Sequence, residues 1–263
     1  DGTTTNRNTP TQTSSLGTER TAVAIYTGQY HTCAILDDES ASCWGRNSDG
    51  QLGDGTNADR NTPTQTSILG EGRTEVAMDA GYQHTCAILD DGSVSCWGRN
   101  SDGQLGDGTT TARNTPTQTS SLGTGRTAVA IGTGDLHTCI ILDNGTVSCW
   151  GSNANGQLGD GTNTNRYTPT SISFPEVYFT LEQKGVEIYA GSVHTCAILD
   201  DGSVSCWGYN GNGQLGNGAN TDRNTPTQTS SLGENRTAVA ITAGDYHTCA
   251  ILDDGSVSCW GYN

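Results

Sequence analysis

His84-Thr-Cys-Ala-Ile-Leu-Asp-Asp-Gly-Ser-Val-Ser-Cys-Trp-Gly98 is the stretch that decides how this chain is read. Two runs of small and β-branched residues flank Asp90-Asp91-Gly92, with glycine where a turn needs positive φ, so the stretch predicts a β-hairpin. Cysteine spacing then selects the register. A three-residue loop with Gly92 as the left-handed bulge residue sets Leu89 against Ser93, Ile88 against Val94 and Cys86 against Cys96. A two-residue Asp-Gly loop would set Cys86 against Trp97 instead. Only the longer loop opposes the two thiols, and it does so at a non-hydrogen-bonded pair, where Cα atoms lie close enough for a bridge.

The stretch occurs five times, so hairpins are expected at 31–45, 84–98, 137–151, 194–208 and 247–261. Five cross-strand disulfides follow: Cys33–Cys43, Cys86–Cys96, Cys139–Cys149, Cys196–Cys206 and Cys249–Cys259, which use every cysteine in the chain. Each closes a short loop and is expected to contribute about 2–3 kcal/mol by restricting the unfolded chain. Free buried thiols and a zinc site are the alternatives. Zinc is normally held by ligands clustered at Cys-x-x-Cys spacing, which pairs separated by a hairpin do not supply.

Composition agrees with covalent reinforcement. Only 32% of the 263 residues are apolar, against about 45–50% in ordinary globular domains. The 36 glycines, with abundant Thr, Asn, Ser and Asp, point to short strands and tight turns. Bridges in every repeat would offset a thin core, and they imply an oxidising setting: extracellular, cell surface or periplasmic. The net charge of −16, with Lys184 the only lysine and no basic run, argues against a nucleic-acid partner and against docking on anionic lipid. No apolar stretch approaches the roughly 20 residues a spanning helix needs, so membrane insertion is not expected. No signal peptide precedes Asp1; an exported protein would have lost its leader.

The cysteines also give the period. Cys33 to Cys86, Cys86 to Cys139 and Cys196 to Cys249 each span 53 residues, and Cys139 to Cys196 spans 57. Each repeat holds an Arg-x-Thr-Pro-Thr segment such as Arg60 to Thr64, an apolar strand such as Ala128-Val-Ala-Ile131, and the hairpin. Four strands per unit is the make-up of a propeller blade, and the recurring proline suits an edge strand. The expected fold is all-β, a single propeller domain of five repeats over residues 1–263.

The string from His-Thr-Cys through Trp-Gly-x-Asn-x-x-Gly-Gln-Leu-Gly, complete in four copies, resembles the regulator of chromosome condensation repeat, also found in bacterial proteins similar to the alpha-tubulin suppressor. The resemblance covers essentially the full chain. It implies a β-propeller, usually of seven blades, and protein partners that include enzymes or small GTPases bound through one face. Asp1-Gly-Thr matches Asp54-Gly-Thr and Asp107-Gly-Thr, and the chain ends before a Gly-Gln-Leu-Gly segment would come. The expected ring is therefore closed by its N- and C-terminal strands, an N-terminal strand completing the last blade. A segment of a longer propeller or array is the alternative.

Repeat four departs from the others between Thr170 and Gly191, holding both phenylalanines and the lone lysine. Phe174, Tyr178, Phe179 and Lys184 are the candidate partner contact, because exposed aromatics stand out on a hydrophilic surface; a divergent loop is the plainer reading. The five histidines and five tryptophans recur once per repeat, which favours hydrogen bonding and packing between blades over a metal ring or a carbohydrate platform. The Asn47–Asp54 and Asn100–Asp107 loops alternate oxygen-bearing residues as a calcium loop does, yet later copies lose acids, and turn-forming side chains explain the pattern. Asn144-Gly-Thr146 and Asn235-Arg-Thr237 are glycosylation sequons. No nucleophile elbow, phosphate loop or dinucleotide fingerprint is present, and no carboxylate stands apart from its copies, so no enzyme, metal or cofactor is expected. The expected role is a structural or protein-binding module that self-associates, the alternative being a regulator of an enzyme or GTPase.

Overall fold

The computed structural model describes residues 1–67, 73–174, 183–234 and 236–263. All its regular elements are strands, grouped by repeat into four sheets of four strands and one of three. In the first repeat the strands are Ala22–Thr27, His31–Leu36, Ala41–Gly45 and Arg60–Gln65, paired antiparallel in that order. The second to fourth repeats reproduce this, and the fifth has Ala238–Ala243, His247–Leu252 and Val257–Gly261. Consecutive first strands neighbour one another, and all five repeats line one axial funnel, as blades do in a propeller.

The hairpin register is the expected one: Cys86 faces Cys96 and Ile88 faces Val94. The amide of Leu89 donates to Ser93 O, and Gly92, at φ +74°, donates to Leu89 O. Because Leu89 and Ser93 form a hydrogen-bonded pair, the cysteines three steps on are a non-hydrogen-bonded pair, with Cα atoms 4.1 Å apart. All five bridges are formed, and no cysteine is free.

The low apolar content is met by dividing the core. Four clusters, one per junction between repeats, each combine a buried bridge, aliphatic residues and the tryptophan of the following repeat. Trp97 Nε1 donates to Gln51 O at 3.0 Å, and Trp150, Trp207 and Trp260 repeat the bond to Gln104, Gln157 and Gln214. Gly53, at φ +69°, leaves room for that ring: a Cβ there would stand 2.7 Å from Trp97 Nε1. Histidines lock the same joints in the other direction. His31 Nε2 lies 2.8 Å from Thr85 Oγ1, and the Thr85 hydroxyl donates to Gln51 O. Its single proton is thereby used, so the histidine must donate through Nε2. Burial favours the neutral ring, lowering the pKa to about 4 in His31 and His194 and about 3 in His84 and His137.

Closure by the terminal strands is not formed among the described residues. Arg7 to Gln12, the sequence counterpart of a fourth strand, pairs with no strand, and Val257–Gly261 keeps an open edge. Gly2 N donates to Asn61 O, the contact that Gly55 N makes with Asn114 O, so this segment docks on the first sheet as the loop before Arg60 docks on the second.

Candidate interaction rim and axial funnel

Each first strand ends in a Gly-x-x-His turn, and each third strand ends in Trp-Gly-x-Asn. The two meet at one end of every sheet. Gly45, at φ +114°, passes so close to the preceding loop that a Cβ would stand 2.5 Å from Tyr30 O. With glycine there, Arg46 N donates to Tyr30 O at 2.9 Å, and the side chain of residue 46 rises beside that of residue 30. The bond recurs from Arg99 to Gln83, Ser152 to Leu136, Tyr209 to Val193 and Tyr262 to Tyr246. Every repeat thus presents its x residues on the same rim.

These positions vary from repeat to repeat. The Gly-x-x-His pairs are Gln29-Tyr30, Tyr82-Gln83, Asp135-Leu136, Ser192-Val193 and Asp245-Tyr246, while the flanking Gly and His never change. Tyr30 and Tyr82 meet edge to face, centroids 5.5 Å apart, with the Arg46 guanidinium 5.5 Å from the Tyr30 centroid. Arg99 Nη1 donates to Gln83 Oε1 at 3.0 Å, and Tyr209 meets Tyr246 edge to face at 6.3 Å. Tyr30, Tyr246 and Tyr262 are exposed.

Inside the rim lies a funnel of about 400 Å³. Asp79, Asp135 and Asp245 line it, with Tyr82, Tyr189 and the turn glycines, and no lysine or arginine is among the lining residues. Burial raises the Asp79 pKa although the amides of Thr133, at 2.7 Å, and Ala80, at 3.0 Å, donate to its carboxylate. Burial raises Asp135 too, opposed by a hydrogen bond from Ser192 and reinforced by the Asp245 charge. Burial, then Glu187 and Asp79, raise the Tyr189 phenol.

The candidate contact in repeat four is placed elsewhere. Phe174 is half-buried and meets Trp207 edge to face at 6.0 Å, filling the joint between repeats three and four as Leu122 fills the joint before it and Leu232 the joint after it. Lys184 is exposed beside Gly145; Tyr178 and Phe179 lie outside the described residues. Asn144 occupies an exposed turn, and Asn235 is outside the described residues. The acidic loops are engaged internally: Asp54 accepts from Thr56 and Arg60, and Asn47 Nδ2 donates to Asp54 Oδ1. Burial acts to raise the Asp54 carboxyl, but those bonds outweigh it and hold it below the usual carboxylate range.

The Regulator of chromosome condensation (RCC1) repeat model matches residues 43–88, 91–141, 144–198 and 201–251. Ultraviolet-B receptor UVR8 of Arabidopsis thaliana is 31% identical over 237 residues, 90% of this chain and 52% of the receptor. Human WBSCR16 superposes with TM-score 0.76 and 26% identity, covering 85% of this chain and 56% of that one. Prp20p of Saccharomyces cerevisiae, described with its binding to Gsp1p and histones, superposes with TM-score 0.77 and 24% identity, over 91% and 57%. The chain spans about half the length of these relatives.

Proposed function

Because this chain belongs to the Regulator of chromosome condensation (RCC1) repeat family, we propose that it is a non-catalytic protein-binding module whose contact surface is the rim of Gly-x-x-His and Trp-Gly-x-Asn residues. One observation carries the reading. The histidine, the two cysteines and the tryptophan that meet at the junctions are the same in every repeat, while the residues on the rim change from repeat to repeat and expose tyrosine and arginine. A purely structural array has no use for such variety, and tyrosine and arginine are the side chains that dominate protein contacts. The five bridges support a setting outside the reducing cytosol, on the cell surface or secreted.

The test compares two variants in covalent capture from the native extracellular fluid. Tyr30→Ser/Arg46→Ser/Tyr246→Ser should keep the thermal transition and lose the captured partner. Asn57→Ser/Asn163→Ser, in the linkers, should keep both. Equal capture by the rim variant overturns the reading. The outer face of the fifth sheet, where Ile251 and Val257 are exposed, favours a second reading in which another copy covers it as sheets cover one another within the chain. Sedimentation equilibrium of wild type and Val257→Glu decides it, a concentration-dependent mass in the first and not the second being the supporting result.

A further inference from the structure

We propose that Asn217 is a site of spontaneous deamidation, and that the aspartate it becomes restores to repeat four the ion pair that the first three repeats carry by sequence. The position is Asp54, Asp107 and Asp160 in those repeats and Asn217 in the fourth. Each of the three carboxylates is nearly buried and paired with the arginine six residues on, at 2.6, 2.8 and 2.5 Å. Arg223 occupies the arginine position in repeat four, is exposed, and has no carboxylate partner among the described residues.

Deamidation begins when the amide nitrogen of the next residue adds to the side-chain carbonyl carbon, so it favours Asn-Gly, where no Cβ shields that nitrogen. The chain has such pairs at Asn144-Gly145, Asn155-Gly156, Asn210-Gly211, Asn212-Gly213 and Asn217-Gly218. Their surroundings separate them. Gly145, Gly156 and Gly213 donate their amides to Leu142 O, Asn153 O and Asn210 O. Asn210 is fully buried, its carboxamide nitrogen donating to Asn217, Ala219 and Thr221 and its oxygen accepting from Leu215 N. Gly218 is exposed and its amide has no acceptor among the described residues, whereas its counterparts Gly55, Gly108 and Gly161 donate to the following repeat.

A second observation concerns the carbon attacked. Asn217 Oδ1 accepts from Ala219 N at 3.1 Å and from Asn210 Nδ2 at 3.2 Å. The Ala219 bond folds the carboxamide back along the main chain, and the Gly218 nitrogen lies within the ring that this bond closes. Both donors stand where negative charge develops on the oxygen as that nitrogen adds, which is how an oxyanion hole lowers a barrier. Gly218 N loses its proton to solvent base and bonds to Asn217 Cγ, and the carboxamide nitrogen leaves as ammonia. Water then opens the cyclic imide. Attack at Cγ gives aspartate, and attack at the main-chain carbonyl of residue 217 gives isoaspartate.

The test is incubation of the intact chain at mildly alkaline pH, where the amide proton is more readily lost, followed by intact mass and peptide mapping. A gain of about 1 Da, amide nitrogen exchanged for acid oxygen, should appear first in the peptide holding Asn217. Asn217→Gln, whose longer side chain cannot close the five-membered ring, should lose that gain. Gly218→Ala, whose added Cβ meets nothing closer than Ser230 Oγ at 3.6 Å, should slow it roughly tenfold. Asn217→Asp, the product made by substitution, should raise the folding equilibrium about two- to fivefold at neutral pH, and Arg223→Gln should remove that rise. A first gain at Asn144 or any other Asn-Gly pair, or an unslowed Gly218→Ala, overturns the site. Isoaspartate as the sole product, or an Asn217→Asp effect that does not depend on Arg223, overturns the restored pair. None of these outcomes bears on the rim, which is tested by capture of its partner.

Discussion

The second and fifth repeats carry the same Cys-Ala-Ile-Leu-Asp-Asp-Gly-Ser-Val-Ser-Cys-Trp hairpin and sit in different surroundings. In the second, Ile88 is 2% and Val94 1% exposed; in the fifth, Ile251 is 45% and Val257 63% exposed. Local sequence therefore builds the hairpin, and the neighbouring repeat builds the core. A hairpin with a partner on both faces buries its aliphatic residues, and a hairpin with one partner leaves those of its open face exposed. This is the one-dimensional energetics of repeat proteins, in which stability is the sum of weak units and strong nearest-neighbour joints.

The sharpest way to break that comparison is to delete the same ring at two places. Trp97 is fully buried and bonded to Gln51 O, whereas Trp44 is half-buried and has no such partner in the preceding loop. Trp97→Ala should cost about 3–5 kcal/mol, and Trp44→Ala less than half as much, read from denaturant unfolding at equal m-value. Similar losses would mean that the ring stabilises its own hairpin rather than the joint.

The bridges extend the comparison to chemistry. Cys86 and Cys96 are fully buried, but Cys259 is exposed at the open face. Mild reductant without denaturant should first add about 2 Da, two hydrogens for the Cys249–Cys259 bridge, with the adduct mapped there by alkylation. Denaturant should then bring the gain to about 10 Da for five bridges. Replacing Cys86 and Cys96 by serine should cost about 2–3 kcal/mol. Simultaneous reduction of all five bridges would show that the end sheet is covered in solution.

A joint can also be weakened from within. Glu75 is buried where the other repeats have Ala22, Ala128, Gly185 and Ala238, and burial raises its pKa to about 7, with Asp38 adding to the rise. The folded pKa lies above the unfolded one, so the penalty is absent below the ordinary value of 4.5 and grows as pH rises toward about 7. Glu75→Ala should stabilise by about 2 kcal/mol at pH 8 and hardly at all at pH 4. Taking the difference between variant and wild type at each pH removes the contribution of the buried histidines. A gain independent of pH would assign the effect to packing.

Much of this was legible in the residues. Turn chemistry and cysteine spacing jointly fixed the hairpin register, because one-residue slips part the sulfurs, and the period fixed the blade. The site was hidden by the same regularity. Treating repeats as copies led to the expectation that no side chain stands apart, yet setting the five Gly-x-x-His turns side by side would have exposed the rim from the sequence. Phe174 misled through composition: an aromatic in a divergent segment reads as a surface feature, and only the fold shows it filling the place of Leu122. Arg7 to Gln12 reads as a strand because its copies are strands, but each copy pairs with the third strand of its own repeat, as Gln65 does with Ser42, and Arg7 to Gln12 pairs with none of the described strands.

The smallest effect concerns the one hairpin that departs from the turn rule. Gly92, Gly145, Gly202 and Gly255 occupy the left-handed turn position, and the first repeat has Glu39 there at φ +64°. A side chain in that conformation costs about 1–2 kcal/mol against glycine, and glycine returns part of it as freedom in the unfolded chain. Glu39 O also accepts from Glu75 N at 3.4 Å, where the corresponding bond from Ala128 to Gly92 O is 2.8 Å, so the first joint is looser at this point. Glu39→Gly should stabilise by about 1 kcal/mol, and native-state hydrogen exchange should show the gain in both first and second hairpins. A gain confined to the first hairpin would mean that turn strain is not transmitted across the joint, and that neighbouring repeats couple through their apolar faces alone.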